Sequence, residues 1–488
     1  MTIPMGGNLL PTPMTVASKD LNEREQLIAW RLAAQLFSRR AEYVLSQQYY
    51  DGTQLVPSLG ISVPPELESL RAIVGWGGSA VDAVSERLVM QGFILNGKSD
   101  VDDELLETFQ SNNMDAEAPM VHDDSMICGN GLVLIGVNSN GEPVITGESP
   151  LNMAVHVHRA TGIVTGGYQT YLDADPVSET YGRMRSALYT PEVDTHMVAG
   201  ENGWEVVDRD EHPETAEHGC AVVAFTNSPS TGNRLGTSEI APAWRNCMNR
   251  AARTWVELEV MREFHILRKI MFLGASERAF QDAEGNIKTV WESYADFMPA
   301  IEADDEGNVP EVKEIQGQSP EGLLKIIDGE ARLMSGYTGL NPQNMGIINT
   351  GNPVSGDSIR MADQRLKART ERKAAGYGNG WVRVGRWTYL VRGEDRPELK
   401  RAEVDWGPMG IPTPAADSAA VAQQRAAGQI PDRSATVQSR LGYSAIERKN
   451  MEAEFREADG RALVDAVTGR PTPPPIPADV ARGDNSAA

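Results

Sequence analysis

With 488 residues, 41% of them hydrophobic and 23% charged, the chain can bury a large core divided among roughly two to four domains, and it is too apolar to be disordered. A formal net charge of -23 argues against a free-standing DNA binder, because affinity for duplex comes mainly from Lys and Arg neutralising phosphates. Cys128, Cys220 and Cys247 lack CxxC spacing, which excludes a disulfide framework or zinc cluster, and no run of about 18 apolar residues offers a membrane span.

The start, MTIPMGGNLLPTPM, has no base before Lys19 and no signal-peptide core, so the expectation is a soluble protein made in a cytoplasm. Asn22 to Gln48 places Leu27, Trp30, Ala34, Phe37, Ala41 and Val44 at steps of three and four, and Asn22 with Glu25 forms a capping box, which predicts an amphipathic helix ending at Asp51-Gly52. A second helix is predicted over Ser79–Met90. From about Gly131 to Phe225 short β-rich runs, LVLIGV, MAVHVH, GGYQTY and AVVAF, alternate with turn residues and predict a sheet domain.

Ser238 to Lys269 is the longest helical pattern, a rod of about 48 Å with Trp244, Trp255 and Ile266 recurring on nearly one face. Such a stripe is core by default, and the sharper reading puts that core between subunits. Residues 274–318 are short, strand-like and acidic, with eleven Asp or Glu against three bases. Ser319-Pro320 opens a returning helix that runs to about Gly336.

Behind the loop NTGNPVS at Asn349 to Ser355 comes a basic helix over Asp357–Lys373, expected to pause at Gly376, Gly378 and Gly380 and to resume after them. Between Ser355 and Arg401 twelve bases face six acids, so the region is locally +6. Such a segment suits a phosphate site, a lid or a piece that meets nucleic acid, and equally a solvated helix whose bases pair with acids elsewhere. Asp417 to Ala466 is helical and Ala-rich, and the tail PTPPPIPADVARGDNSAA should be disordered.

Catalytic chemistry has little to stand on. Gly75-Trp76-Gly77-Gly78-Ser79-Ala80 matches a GxGxxA turn but lacks a buried strand before it and a well-placed acid about 20 residues on. His156-Val157-His158 has no third metal ligand, and Asp123-Asp124 and Asp304-Asp305-Glu306 lack calcium-loop spacing. No P-loop, GxSxG or HExxH is present. The chain is expected to be no enzyme and to hold no cofactor or metal.

The order of elements carries more. A helix closing in YYDG, a second ending RLVMQGF, a β-rich domain, a long helix, an acidic lobe, a returning helix and then NPVSGDSIR before a basic helix together resemble the portal proteins of tailed bacteriophages, of the siphophage type. The likeness runs from about Leu21 to Ala466, through motifs that are individually short.

The resemblance implies an α+β portal fold. Its parts would be a flexible N-terminus (1–20), a wing (21–237, β-rich over about 131–225) and a first stem helix (238–273). A small α/β clip (274–318), a second stem helix (319–338) and a tunnel-loop region (339–356) would follow. A tunnel helix returning to the wing (357–414), a helical crown (415–470) and a disordered tail (471–488) complete the order.

Carried over residue by residue, Asn349, Thr350, Gly351, Asn352, Pro353, Val354 and Ser355 would form the tunnel loop facing DNA. Arg360, Arg365, Lys367, Arg369, Arg372 and Lys373 would be the tunnel-helix bases, several of them facing acids of adjacent subunits. Trp244, Trp255 and Ile266 would lie between stem helices of neighbours, and Asp304, Asp305 and Glu306 on the clip's partner surface.

The implied function is structural: a homo-oligomeric ring of about twelve copies at one capsid vertex, the channel for packaging and ejecting double-stranded DNA. Implied partners are the terminase large subunit, the head–tail adaptor, and the major capsid and scaffolding proteins, with no membrane. The implied location is the virion, and the host cytoplasm during assembly. Twelve helices spaced about 10 Å apart would lie on a circle of roughly 38 Å and leave a bore near 27 Å, slightly wider than duplex DNA. The alternatives are a nucleotide-binding enzyme using the Gly75–Ala80 turn, or another head-assembly adaptor.

Overall fold

The computed structural model describes residues 18, 20–56, 72–95, 101–200, 203–265, 269–273, 311–315, 319–346 and 356–468, less short gaps at 411–413, 432, 435–436, 439–440 and 444. Helices in chain order are α1 (Glu23–Asp51), α2 (Trp76–Ser85), α3 (Asp103–Ser111), α4 (Met114–Cys128), α5 (Pro242–His265), α6 (Glu321–Thr338), α7 (Gly356–Leu390), α8 (Pro414–Ala426) and α9 (Ala445–Thr468). Strands are β1 (Met90–Ile94), β2 (Asn130–Val137), β3 (Pro143–Glu148), β4 (Met153–Val157), β5 (Val164–Leu172), β6 (Met184–Tyr189), β7 (Val193–Gly200), β8 (Gly203–Glu211), β9 (Val222–Thr226), β10 (Lys269–Leu273), β11 (Glu311–Ile315) and β12 (Glu403–Trp406). All their pairings are antiparallel. The chain divides into two compact units, one of residues 1–47, 79–240 and 353–488, the other of 48–78 and 241–352.

In the first unit, α1 starts at the predicted capping box. The Asn22 amide donates to Glu25 Oε2 and the Glu25 amide to Asn22 Oδ1, each at 2.9 Å, so two helix-end donors are satisfied locally. The helix lies on the five-stranded sheet β4-β5-β6-β7-β8, burying Ala29, Leu32, Ala33 and Leu36 with Tyr168, Leu188, Met197 and Trp204. The covered face is therefore not the stripe that periodicity picks out. Leu27, Trp30 and Phe37 are 46%, 49% and 54% exposed, because a narrow strip of Ala and Leu meets the sheet and the larger side chains point away from it.

A three-stranded sheet, β3-β2-β9, carries α4 and α7. Between these elements sits an aromatic core of Phe93, Phe109, Phe225, Tyr377 and Trp381 around His122. The His122 ring stacks on Tyr377 at 4.9 Å, and Trp381 Nε1 donates to His122 Nε2 at 2.9 Å. Burial pushes this imidazole down to about 3, so it is neutral at physiological pH.

The basic helix is longer than expected. Instead of pausing at its three glycines, α7 runs unbroken for 35 residues, about 52 Å. Glycine at 380 reflects close approach: a Cβ there would stand 2.6 Å from the Phe225 ring, while one at Gly376 would meet nothing within 4 Å. Gly376→Ala is therefore expected to raise stability by about 0.5–1 kcal/mol through helix propensity, and Gly380→Ala to lower it by about 1–3 kcal/mol through overpacking. Paired denaturation curves read both, and two stabilising substitutions would refute the packing account.

The second unit is built on α5 and α6, which pack on each other. Trp244, 5% exposed, lies on α5 with the buried Cys247, Met248, Ala251 and Ala252, while α6 buries Ile327, Ala331 and Met334. Arg250 forks onto Glu330 through Nε at 2.7 Å and Nη2 at 2.6 Å, a half-exposed bridge that fixes register more than it stabilises. The described helix α5, at 24 residues or about 36 Å, is shorter than the rod read from sequence. Strands β10 and β11 form a two-stranded antiparallel pair in this unit.

Candidate functional site

The basic segment meets its partners on α7 within the first unit. At its N-terminal end Asp363 receives Arg87 through both guanidinium nitrogens, at 2.9 and 3.0 Å, which ties this half of the helix to the body. Nearly three turns further on, Lys373 is buried and its ammonium donates to Glu239 Oε1 and Asn227 Oδ1. Arg369 Nη2 donates to the other Glu239 oxygen at 2.9 Å. Asn227 is held for this role, since its Nδ2 donates to the Thr237 carbonyl at 2.7 Å.

The electrostatics follow from that geometry. Burial works to raise the Glu239 carboxyl, but Arg369 and Lys373 outweigh it and hold the group below its ordinary range. Lys373 moves down because burial, with repulsion from Arg369 and Arg372, exceeds what Glu239 returns. The arrangement is a buried ion triad with more positive than negative charge.

Two of the six predicted tunnel-helix bases, Arg369 and Lys373, thus share the Glu239 carboxylate inside the chain. Lys367 lies 3.8 Å from Glu371 one turn on, Arg365 and Arg372 are exposed, and the side chain of Arg360 lies outside the described residues. The expected tunnel-loop residues Asn349 to Ser355, the expected clip residues Asp304, Asp305 and Glu306, and the expected stem residue Ile266 also lie outside them. Trp255 is half-buried, and Trp244 is buried. Sequence reasoning counted the bases but missed Glu239 and Asn227, which are 134 and 146 residues from Lys373 and carry no local signal.

The other candidates dissolve into packing. Helix α2 begins at Trp76, residues 72–74 before it are not strand, and a Cβ at Gly77 would stand 2.5 Å from the Tyr49 carbonyl oxygen. That glycine lets two backbones touch and leaves no phosphate cradle at its position. His156 and His158 bond separately to Thr165 and Thr161, at 2.9 and 3.0 Å. Among the described residues no cluster of His, Cys, Asp and Glu is placed to hold a metal ion, and no helix is long and apolar enough to cross a membrane.

Asp123 and Asp124 sit on α4, where burial and the neighbouring Asp123 charge push Asp124 up to about 7. A carboxyl ionising near 7 when folded and near its ordinary 3.8 when unfolded costs stability as pH rises between those values, up to about 4 kcal/mol above neutrality. Asp124→Asn is expected to stabilise the chain by about 1–3 kcal/mol at pH 8 and hardly at all near pH 4. Urea midpoints at the two pH values check this, and an equal gain at both would rule out ionisation as the cause.

Residues 31–212 match the family described as "Phage portal protein, SPP1 Gp6-like". The "Portal protein" of Mycobacterium phage D29 is 30% identical over 446 residues, covering 88% of this chain and 89% of that one. The "Portal protein" of Mycobacterium phage L5 is 29% identical over 457 residues, covering 88% and 90%. Among solved structures, a chain from the "Neck of empty GTA particle computed with C6 symmetry" aligns with a TM-score of 0.48 at 13% identity, covering 80% of this chain and 91% of that one. Another, from the "Virion of native gene transfer agent (GTA) particle", aligns at 0.44 and 14%, covering 82% and 96%. Identity sustained over nearly nine-tenths of both sequences, in a mixed helical and antiparallel-sheet chain whose glycine turn brings two backbones together and whose histidine pair makes separate local hydrogen bonds, establishes that the chain belongs to the phage portal protein family.

Proposed function

We propose that about twelve copies of this chain close into a ring at one capsid vertex and form the channel through which double-stranded DNA enters and leaves the head. The observation that carries this is apolar surface left uncovered on the single chain. Leu27, Trp30 and Phe37 on α1, and Ile326, Leu333 and Tyr337 on α6, are each 46–54% exposed. Side chains of this kind at helical spacing are what a self-associating protein leaves for its next copy.

In this reading α5 and α6 are the stem helices, with Trp255 and Ile266 toward the neighbour and Trp244 bracing the stem from inside. The loop Asn349 to Ser355 approaches the DNA. Several of the remaining bases, Arg360, Arg365 and Lys367, meet acids of adjacent subunits, while Arg369 and Lys373 are neutralised within the chain by Glu239. The acidic segment around Asp304, Asp305 and Glu306 receives the terminase large subunit and later the head–tail adaptor. Helix α9, pinned to β12 by the buried Arg448–Asp405 pair, belongs to the crown. Capsid and scaffolding proteins surround the wing.

No bond is made or broken by this chain; its work is mechanical. An acidic wall repels phosphate, so a duplex slides through without the sequence-independent grip that a basic surface would impose. Native mass spectrometry and negative-stain images of the purified chain test the reading. A closed ring of about twelve copies with a bore near 27 Å is expected; a monomer at every concentration would end it. Trp30→Ser with Phe37→Ser should shift the equilibrium toward smaller species.

A further inference from the structure

Behind the Glu239 triad the first unit contains a recess of about 700 Å³, within the size range of small-molecule sites. Among its lining residues Arg234, Arg369, Arg372, Lys373 and Arg383 bring five positive charges, and Glu239 brings one negative charge. Subtracting gives an excess of four positive charges, in a chain whose net charge is -23. That excess is local and concentrated.

Glu239 is already engaged by Arg369 and Lys373, so nothing on the wall balances Arg234, Arg372 and Arg383. Arg383 is aimed rather than loose: its Nη1 donates to the Gly162 carbonyl at 2.7 Å, which fixes the guanidinium at the edge of the recess. Partial desolvation in the recess holds its basicity below the ordinary range, while the guanidinium stays reachable from solvent. Uncompensated charge in a recess is costly, and an anion with several acceptor oxygens removes that cost.

We propose that this recess binds a compact oxyanion of the phosphate class carrying two or more negative charges, gripped by the outward guanidiniums of Arg372, Arg383 and Arg234 above the Lys373–Glu239–Asn227 floor. Arginine suits the task, since its planar fork matches a tetrahedral oxyanion edge to edge. The source is either free phosphate or a phosphodiester of nucleic acid. A single carboxylate would leave most of the charge excess standing, which favours phosphate over an acidic side chain of a neighbouring copy.

The test titrates inorganic phosphate into the full chain by calorimetry at low ionic strength, with sodium chloride at matched ionic strength as control. The native chain should show saturable phosphate binding that chloride does not reproduce, and Arg372→Gln with Arg383→Gln should weaken it at least about tenfold. A thermal melt in chloride checks that the double variant folds. Should it fail to fold, Arg234→Gln on the exposed loop takes its place, with a smaller loss expected. A short duplex added to the phosphate-loaded chain separates the sources: displacement assigns the site to a phosphodiester, and persistence assigns it to the free anion. No saturable phosphate binding, or equal binding by the substituted chain, overturns the proposal. So does a variant that binds phosphate normally but loses oligomer mass, which would make the recess a subunit contact.

Discussion

Glu239→Gln should cost about 3–5 kcal/mol of unfolding free energy, the penalty for leaving buried cations without their counterion. Lys373 is 8% exposed and the Glu239 side chain 13%, so solvent cannot replace the lost charge. A neutral amide keeps the shape of the site and one acceptor oxygen, which makes the loss electrostatic rather than steric. Adding Lys373→Met to the same chain should restore part of the stability, because it removes the buried ammonium that Glu239→Gln leaves without a counterion. Urea denaturation of the two single variants and the double variant closes the cycle. Strict additivity of the two losses would mean that the carboxylate and the ammonium do not act as a pair.

How much of this was legible in the sequence depends on the range of the interaction. The Asn22–Glu25 capping box was readable because both partners lie within one turn of helix, and it formed as read. The covered face of α1 was not, although its helix was. Hydrophobic periodicity finds the larger side chains, whereas the sheet beneath accepts the smaller ones, so Leu27, Trp30 and Phe37 were placed on the wrong side of the contact. The break expected at Gly376 to Gly380 failed for a related reason. A glycine lowers helix propensity by about 1 kcal/mol, but tertiary packing on Phe225 outweighs that and needs the missing Cβ. The excess of bases on α7 could be counted along the chain; its division into paired and unpaired charge depends on Glu239 and Asn227, which only the fold brings near.

The aromatic core offers the second large effect. Trp381→Ala should lower stability by about 3–5 kcal/mol, since the indole is fully buried against Phe109 and Phe225 and its loss leaves a cavity. The same substitution removes the N–H that His122 accepts at 2.9 Å. Native His122 ionises near 3 rather than its ordinary 6.5, because burial penalises the imidazolium. For a depressed histidine the sign is fixed: below about 6.5 the unfolded chain takes up a proton that the folded chain refuses, so stability falls by about 1.4 kcal/mol per pH unit as pH drops toward 3. Opening the core to water lets the imidazole protonate in place, and the contribution of His122 to that slope should shrink in the alanine variant. Trp381→Phe separates the two roles, keeping most of the ring volume while deleting the donor, with an expected loss of about 1–3 kcal/mol and a slope close to the native one. Denaturation series for the three proteins between about pH 7 and pH 4 decide the matter: if the alanine variant keeps the full native slope, Trp381 fills space but does not keep His122 dry.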